Sequence, residues 1–312
     1  MRKRNQPLSI GFTGLGRIGL EMVSRLLAAG HTVRVLGHRR RAPVEAALAL
    51  GATEAASLAS LGQECSIVFL SLPGSDEVES VVAGSGGLAQ CGRAGLIVVD
   101  TSTSLPASTR SINRLLMGSG MAFVDAPIVR TPAGDDETGF ISLVGATEDT
   151  FEVVAPYLAT WSDRLIHLGP SGAGHTARLI NSIVTCGQAA LLTEALGAAA
   201  KNRVDLASMI EILRNGYGHS GTLERLVPAV LEQRADAHPS PIGSARKDVR
   251  YFRAMADMVG LTTPVSDAVH QVYGQAAHPD ADEPLLSALL GFQCRVSGVS
   301  FTRASAAERK AS

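Results

Sequence analysis

A glycine-rich turn near the N-terminus limits the possible folds of this chain more than any other feature. Residues 8–12 form an apolar run with strand character, which leads into the pattern Gly-x-Gly-x-x-Gly at Gly14, Gly16 and Gly19. A helical pattern of apolar residues follows, and then a second predicted strand at residues 31–36. Strand, glycine-rich turn, helix and strand within about 30 residues predict a parallel βαβ unit of the dinucleotide-binding type.

Each glycine has a separate task in a turn of this type. Gly14 makes the tight turn, Gly16 lets a pyrophosphate approach the backbone, and Gly19 lets the helix pack closely on the strand. The helix then begins at Arg17 and Ile18, where its N-terminus faces the phosphates. We therefore predict that Gly14, Gly16, Arg17 and Ile18 bind the dinucleotide. A purely structural turn is the alternative.

The residues after the second strand predict which dinucleotide binds. An NAD site places Asp or Glu there to hold the ribose 2′-hydroxyl, and this chain has neither at that point. It continues as Gly37-His38-Arg39-Arg40-Arg41, and guanidinium groups suit a 2′-phosphate. We predict NADP as the cofactor, bound first by Arg39 and then by His38 and Arg40. A solvated basic turn is the alternative.

Apolar strands and helices alternate through the rest of the first half of the chain. Strands are expected at residues 66–72, 96–99, 121–124, 140–144 and 165–168, with helices at 105–117 and 152–158. This alternation predicts an α/β fold with a doubly wound, mostly parallel sheet, the architecture of a Rossmann domain.

Polar residues and turn residues follow the carboxyl ends of two of these strands, which is where ligands bind in open α/β sheets. Leu72 and Pro73 end one strand, and we predict that they line the cofactor crevice. Ser102 and Thr103 follow another strand. Their hydroxyls suit contacts with the nicotinamide amide or a substrate, or a cap for the helix that starts near Pro106, and both interpretations stay open.

A second glycine-rich turn begins the other half of the chain. Gly172-Ala173-Gly174 leads into an alanine-rich apolar run without proline up to residue 201, which predicts a long helix. Spacings of three and four place His175, Arg178, Asn181 and Ser182 on one face of that helix. A histidine at the start of a helix is usually exposed, and we expect the same of His175.

Helical periodicity continues to the end of the folded sequence, without a convincing strand. Further helices are expected at residues 206–214, 223–233, 243–258, 265–275 and 285–292. We therefore predict three parts: an NADP-binding domain at 1–169, an all-helical domain at 170–301 and a flexible tail at 302–312. The glycine-rich segment at residues 215–221 is either a loop that closes over the substrate or a plain connector between helices.

Composition excludes several classes of protein. The formal net charge is −1, so no basic field favours nucleic acid or a membrane surface as a partner. No apolar run approaches the roughly 20 residues of a membrane span. The four cysteines have neither metal-ligand nor disulfide spacing, which predicts no metal site and a location in the reducing cytoplasm.

Several motifs, in order, resemble those of the β-hydroxyacid dehydrogenases, the group of 3-hydroxyisobutyrate dehydrogenase, tartronate semialdehyde reductase and the 6-phosphogluconate dehydrogenases. The similarity covers about residues 8 to 295, and its motifs lie at residues 11–19, 70–73, 100–103, 125–127, 172–174 with Asn181, and Lys247-Asp248. The resemblance implies an N-terminal Rossmann domain, a long interdomain helix, and an all-helical domain through which two chains form a homodimer.

The chain departs from the family pattern in the loop after Asp125-Ala126-Pro127. The family has Ser-Gly-Gly there, whose serine and amides hold the substrate carboxylate, whereas this chain has Val129-Arg130-Thr131. This Arg-Thr pair is similar to the pair found at the same place in the branch of the family that includes sulfolactaldehyde reductase. The guanidinium group of an arginine can bind an anion through two parallel hydrogen bonds. The resemblance thus implies Arg130, Thr131 and Ser102 as substrate-binding residues; an Arg130 that points to solvent is the alternative.

The second departure is at the family's catalytic position. The family places a lysine four residues after the second glycine of Gly-x-Gly, as proton donor and acceptor, and this chain has Arg178 there. Arginine stays protonated up to about pH 12, so it cannot shuttle protons, although it can stabilise a developing alkoxide. Water, His175 or Lys247 would then supply the proton. We assign catalytic roles to Arg178, Asn181 and Lys247, and Lys247 also to cofactor binding.

These features predict an NADP-dependent oxidoreductase that transfers hydride between the cofactor and a small carbonyl or hydroxy compound, such as a hydroxy acid or semialdehyde with an acid group. Two alternatives stay open. An imine reductase would need no lysine, because an imine is easily protonated in solution. A scaffold that binds NADP without catalysis would keep the cofactor-binding motifs and lose the residues that bind and convert the substrate.

Overall fold

The computed structural model describes residues 9–38, 40–130, 139–232, 234, 240–277, 280 and 282–301. The chain forms two compact units, Met1–Arg178 and Leu179–Ser312. They divide inside one long helix, nine residues after the predicted boundary at 169/170. The predicted tail at 302–312 lies outside the described residues, and so do Arg39 and Thr131.

The first unit contains the predicted doubly wound sheet. Its six strands are β1 (Ile10–Thr13), β2 (Val33–Leu36), β3 (Thr53–Glu54), β4 (Ile67–Leu70), β5 (Ile97–Asp100) and β6 (Ala122–Asp125). All neighbours pair in parallel, in the order β3-β2-β1-β4-β5-β6. The order reverses between β1 and β4, and ligands bind at such switch points.

In the part of the first unit that the structure describes, seven helices before α8 (Ala173–Lys201) connect these strands or follow them. They are α1 (Arg17–Ala28), α2 (Ala42–Ala49), α3 (Leu58–Glu64), α4 (Ser75–Ala83), α5 (Leu88–Cys91), α6 (Pro106–Gly118) and α7 (Glu148–Leu158). Every residue of β1 and β4 is buried, as expected of parallel strands covered on both faces. Phe12 of β1 stacks on Phe69 of β4, and Phe69 meets the edge of Trp161 at 5.2 Å between ring centroids.

The last three strands of the first unit form a second sheet, although the sequence predicted strands 140–144 and 165–168 in the main sheet. These strands are β7 (Ile128–Arg130), β8 (Phe140–Val144) and β9 (Arg164–His167); β7 and β8 are antiparallel, and β8 and β9 are parallel. Beyond β6, an isolated bridge between Asp125 and Gly145 joins the two sheets. Pro127 lies between β6 and β7, and because proline has no N–H to donate, it interrupts the ladder there.

The second unit is helical, as predicted, and its described residues contain no strand beyond an isolated bridge between Pro241 and Pro284. Its helices are the greater part of α8 (Ala173–Lys201), then α9 (Leu206–Asn215), α10 (Gly221–Leu231), α11 (Ile242–Asp257), α12 (Pro264–Ala276) and α13 (Leu285–Ser297). Tyr273 of α12 is fully buried in this core and donates a hydrogen bond to the Cys186 carbonyl of α8 at 3.1 Å.

Helix α8 is long and apolar enough to cross a membrane by length and composition, with a mean hydropathy of 1.3 over its most apolar window. The expectation that no segment approaches this length is therefore wrong. Because 44% of that window is buried inside the protein, and core helices of soluble proteins pass the same test, the helix is weak evidence for a membrane span.

Candidate active site

The turn between β1 and α1 has the backbone that its glycines predict. Gly14 adopts a φ of 94°, and a Cβ there would lie 2.2 Å from the Ser71 carbonyl oxygen. A Cβ at Gly19 would lie 2.0 Å from the Gly14 carbonyl oxygen, whereas one at Gly16 would meet nothing within 4 Å. Gly14 and Gly19 are thus required by packing, and the backbone at Gly16 is open to a ligand.

The start of α1 suits a phosphate. Gly16 is the N-cap residue and has no side chain to bond the first-turn amides, and the first turn contains no acidic residue. Arg17 is exposed and Ile18 is half-buried. A helix N-terminus with partial positive charge and without an acidic neighbour favours an anion. These residues therefore fit the pyrophosphate of a dinucleotide.

Exposed side chains follow the end of β2. His38 and Arg40 are both exposed, while Arg39 lies outside the described residues. The sequence did not reveal the role of Arg41: its Nη1 donates to Glu54 Oε1 of β3 at 2.6 Å. Glu54 is the carboxylate that parallel pairing brings beside the end of β2, opposite Val35. Arg41 therefore already binds the Glu54 carboxylate, which lies beside the end of β2.

The segment after β5 is held by a network of hydrogen bonds. Ser102 is 5% exposed, and its Oγ accepts the Leu72 N–H at 2.8 Å. The Ser102 N–H donates to Asp100 Oδ1, and the Ser104 hydroxyl donates to Asp100 Oδ2, both at 2.9 Å. Thr103 is half-buried. The ends of β4 and β5 are therefore tied together, close to the predicted cofactor crevice.

Neither Ser102 nor Thr103 caps the helix that follows. The N-cap residue of α6 is Leu105, and no side chain bonds the first-turn amides from that position. The Leu105 N–H instead donates to Ser75 Oγ of α4 at 2.7 Å. The helix-cap interpretation of these two hydroxyls is therefore wrong.

Asp125, at the end of β6, anchors the start of α8. Its side chain is fully buried and accepts the Gly172 N–H at 2.6 Å and the His175 N–H at 2.8 Å. Burial raises the pKa of Asp125, although the nearby His175 and these backbone amides oppose that shift. Gly174 is required here as well, since a Cβ would lie 2.3 Å from the Leu143 carbonyl oxygen.

His175 is not exposed, contrary to the expectation for a histidine at the start of a helix. Its side chain is 0% exposed, with Nδ1 2.7 Å from Thr109 Oγ1 and Nε2 3.2 Å from the Ser102 carbonyl oxygen. Carboxylate oxygens of Asp100 and Asp125 lie 3.6 Å and 3.9 Å from the ring nitrogens. Tertiary contacts with these acidic and hydroxyl groups explain why the histidine is buried.

Arg130 and Arg178 are the two arginines that the sequence assigned to the reaction. Arg130 Nη2 lies 3.6 Å from Glu21 Oε2 of α1, and its guanidinium carbon lies 4.7 Å from the Phe140 ring centroid. Its side chain is 30% exposed. Arg178 is half-buried, three residues after His175 on α8. Thr131 lies outside the described residues.

The predicted site residues of the second unit lie on α8 and α11. Asn181 is exposed. Lys247 Nζ lies 3.4 Å from Asp248 Oδ1 and 5.3 Å from the Tyr251 ring centroid. The Ser182 hydroxyl donates to Asp248 Oδ2 at 3.1 Å, a contact that the sequence did not indicate. Asp248 therefore connects Lys247 to α8 within this unit.

The glycine-rich segment at residues 215–221 connects α9 to α10. Ser220 is the N-cap residue of α10, and its Oγ accepts the Leu223 N–H at 3.1 Å. Tyr217 is fully exposed. The cap favours the interpretation of the segment as a connector between helices.

Two protein-family models match nearly the whole chain. The NAD binding domain of 6-phosphogluconate dehydrogenase matches residues 9–169, and the NAD-binding domain of NADP-dependent 3-hydroxyisobutyrate dehydrogenase matches residues 172–290. Both the glycine-rich turn and the helical unit lie within these matches. The motifs noted in the sequence therefore belong to two neighbouring domains of one family.

Individual relatives agree with the family models. The chain is 32% identical to 2-(hydroxymethyl)glutarate dehydrogenase of Eubacterium barkeri over 70% of its length and 72% of the relative. It is 28% identical to 3-sulfolactaldehyde reductase of Escherichia coli over 93% of its length and 96% of the relative. The fold matches that of 3-hydroxyisobutyrate dehydrogenase from Mycobacterium tuberculosis with a TM-score of 0.82 and 23% identity, over 91% of this chain and 98% of that one. The chain therefore belongs to the β-hydroxyacid dehydrogenase family of nicotinamide-dependent oxidoreductases.

Proposed function

We propose that this chain is an NADP-dependent oxidoreductase that interconverts a small carbonyl compound and its alcohol, with an acid group on the substrate. The observation that carries the proposal is the turn at Gly14, Gly16 and Gly19, which leaves the backbone at Gly16 and the start of α1 open to a pyrophosphate. The nicotinamide ring of the bound cofactor supplies or accepts the hydride. The protein binds and orients both reactants.

The preference for NADP rests on the residues after β2. We assign the 2′-phosphate to His38, Arg39 and Arg40, of which His38 and Arg40 are exposed. A competing NAD site would need a carboxylate for the ribose hydroxyl. Glu54 is the carboxylate beside this strand end, and Arg41 already binds it at 2.6 Å. Leu72, Pro73, Thr103 and Lys247 complete the proposed cofactor contacts.

The proposed catalytic residues are Arg178, Asn181 and Lys247. Arg178 would donate hydrogen bonds to the reacting oxygen and stabilise the negative charge that develops there during reduction. Arginine cannot release a proton near neutrality, so Lys247 or water would supply the proton. His175 does not suit this task, because its side chain is fully buried and both ring nitrogens have partners.

Arg130, Thr131 and Ser102 are proposed to bind the acid group of the substrate. The Ser102 hydroxyl still has its hydrogen to donate, because the Leu72 N–H uses only the oxygen as an acceptor. The glutarate and sulfolactaldehyde in the names of the two relatives are both anionic compounds. Hydroxy acids and semialdehydes with a carboxylate or sulfonate group are therefore the substrate class that we propose.

We further propose a homodimer in the cytoplasm, without a nucleic-acid or membrane partner. Ile180, Val184 and Leu191 form an exposed apolar row on α8, about half to two thirds exposed. Their spacing of four and seven residues places them on one side of the helix, and apolar faces of this kind commonly pair between copies of a chain.

The direct experiment measures turnover of hydroxy acids, semialdehydes, keto acids and cyclic imines with NADPH and NADH. We expect reduction of acidic semialdehydes with NADPH. Activity on cyclic imines alone would instead identify an imine reductase, and tight NADPH binding without turnover of any compound would identify a scaffold. Arg178→Lys is the sharper probe: a large gain in 3-hydroxyacid oxidation would mean that the natural substrate belongs to another class.

The cofactor preference has its own experiment. Changing Arg39 and Arg40 to Ala should weaken NADPH binding by about ten-fold or more, while NADH binding changes little, because only NADPH carries the 2′-phosphate. Arg114→Ala is the matched control, since this exposed arginine lies on α6 and binds Ser111 of its own helix. Equal losses for both cofactors would reject the assignment of the 2′-phosphate to these arginines.

A further inference from the structure

We propose that His175 is a positioning residue that fixes the segment Ser102–Thr103 through a hydrogen bond from its Nε2 to the Ser102 carbonyl oxygen. The proposal rests on the function above, in which Ser102 and Thr103 contact substrate and cofactor. It assigns a role to a buried titratable side chain that the proposed reaction itself does not use. All residues concerned lie within the first unit.

The hydrogen-bond partners of His175 determine which nitrogen carries the hydrogen. The Ser102 carbonyl oxygen, 3.2 Å from Nε2, can only accept, so Nε2 must donate. Nδ1 lies 2.7 Å from Thr109 Oγ1, a hydroxyl that can donate to the ring or accept from it. The ring therefore connects α8 to α6 on one side and to the segment after β5 on the other.

Neighbouring carboxylates leave the ring little freedom to turn. Asp100 Oδ2 lies 3.6 Å from Nε2, and Asp125 Oδ2 lies 3.9 Å from Nδ1. Asp100 also binds the Ser102 N–H and the Ser104 hydroxyl, and Asp125 binds two amides at the start of α8. Because each carboxylate is held by other groups, each keeps its place beside the ring.

Ser102 is consequently held at three points. Asp100 binds its N–H, the Leu72 N–H binds its Oγ, and His175 binds its carbonyl oxygen. The first two bonds come from the sheet itself, at the ends of β5 and β4. Only the third comes from α8, the helix that carries Arg178 three residues further on. The His175 bond therefore sets the position of Ser102 relative to the proposed catalytic arginine.

Two conservative variants separate this role from general packing. Gln places an amide near the position of Nε2 and can still donate to the Ser102 carbonyl, whereas Asn places its amide near Nδ1 and keeps only the contact with Thr109. His175→Asn should therefore release Ser102, and His175→Gln should retain it. Thr109→Val is the matched control, because it removes the hydroxyl beside Nδ1 and leaves the Nε2 bond in place.

The first measurement uses the protein without cofactor. Amide hydrogen exchange of residues 102–104 should be about ten-fold faster in His175→Asn than in wild type, and within about three-fold of wild type in His175→Gln and Thr109→Val. The second measurement is kinetic. His175→Asn should lower kcat by about ten- to one hundred-fold and raise the dissociation constant for NADPH only about three-fold, because most proposed cofactor contacts lie outside this segment, and His175→Gln should keep most of kcat.

Equal exchange rates and equal kcat values in the Asn and Gln variants would overturn the proposal. If the Asn variant does not fold, the ¹⁵N signals of the wild-type imidazole decide: a protonated Nε2 supports the bond, and an Nε2 without hydrogen rejects it. If the wild-type protein turns over none of the compounds, the proposed function is rejected. The role of His175 is still tested in that case, because the hydrogen-exchange and ¹⁵N measurements do not depend on turnover.

Discussion

Gly19 approaches Gly14 so closely that a Cβ at position 19 would lie 2.0 Å from the Gly14 carbonyl oxygen. Three positions earlier, at the N-cap of the same helix, a Cβ at Gly16 would meet nothing within 4 Å. The glycine pattern thus contains two residues that the fold itself requires, Gly14 and Gly19, and one, Gly16, whose missing side chain leaves room for a ligand. The two requirements can be separated by experiment.

Gly19→Ala should lower the free energy of unfolding by about 2 kcal/mol, because the backbone of Gly14 cannot move away without disturbing β1. Gly16→Ala should cost less than about 1 kcal/mol, since a new methyl group meets nothing. Its affinity for NADPH should fall instead. Denaturant unfolding followed by the fluorescence of Trp161, the only tryptophan in the chain, measures the stability of the first unit.

Similar stability losses in the two alanine variants would contradict this separation. NADPH titration of Gly16→Ala supplies the other half of the comparison. An unchanged affinity would show that the cofactor does not approach the backbone at Gly16.

Leu191→Glu should convert a dimer into a monomer. The side chain is 67% exposed on α8, in the apolar row with Ile180 and Val184, and a buried unpaired carboxylate would oppose association. Sedimentation equilibrium measures the mass. Leu115→Glu is the control, because Leu115 is 46% exposed on α6 of the first unit and should leave the mass unchanged. A wild-type monomer would refute the proposed assembly.

The buried phenol of Tyr273 should make the free energy of unfolding fall as pH rises above about 10. Burial raises the pKa of Tyr273 well above its ordinary value of 10.0, so the folded state keeps the phenol proton. The unfolded chain releases it above about pH 10, and each released proton favours unfolding. The stabilising contribution is fully present below that pH and is lost as pH rises further.

Tyr273→Phe isolates this effect from other titrating groups. The variant loses the hydrogen bond to the Cys186 carbonyl and should be less stable by about 1 kcal/mol at neutral pH. Between about pH 9 and pH 11 its stability should fall less steeply than that of wild type. Urea unfolding monitored by circular dichroism gives the free energy of unfolding of both proteins at each pH. Equal slopes of this free energy against pH in wild type and variant would contradict the prediction.

Local sequence predicted the main sheet well where the signals were themselves local. The runs that became β1, β4 and β5 are rich in apolar residues because these strands are almost entirely buried, and Gly14 before α1 has a positive φ that few other residues adopt. The strands β3 and β7 gave no such signal. Thr53 and Glu54 are both exposed, and a strand of two residues has no period to detect.

The surroundings of His175 could not be predicted in the same way. Its partners come from β5, α6 and β6, between about 50 and 75 positions away in sequence. Helical spacing gave the face on which His175 lies, but only the fold brings Asp100 and Asp125 to that face. Arg41 shows the same limit, because Glu54, its partner, lies on a strand that the sequence did not indicate.

The helix start at Gly16 makes the cofactor a structural component of the first unit as well as a reactant. Its first-turn amides receive no side-chain acceptor from the N-cap residue, so an arriving phosphate completes the helix. A ligand at one hundred times its dissociation constant adds about 2.7 kcal/mol to folding stability. We therefore expect the protein without its cofactor to be the form most open to proteolysis.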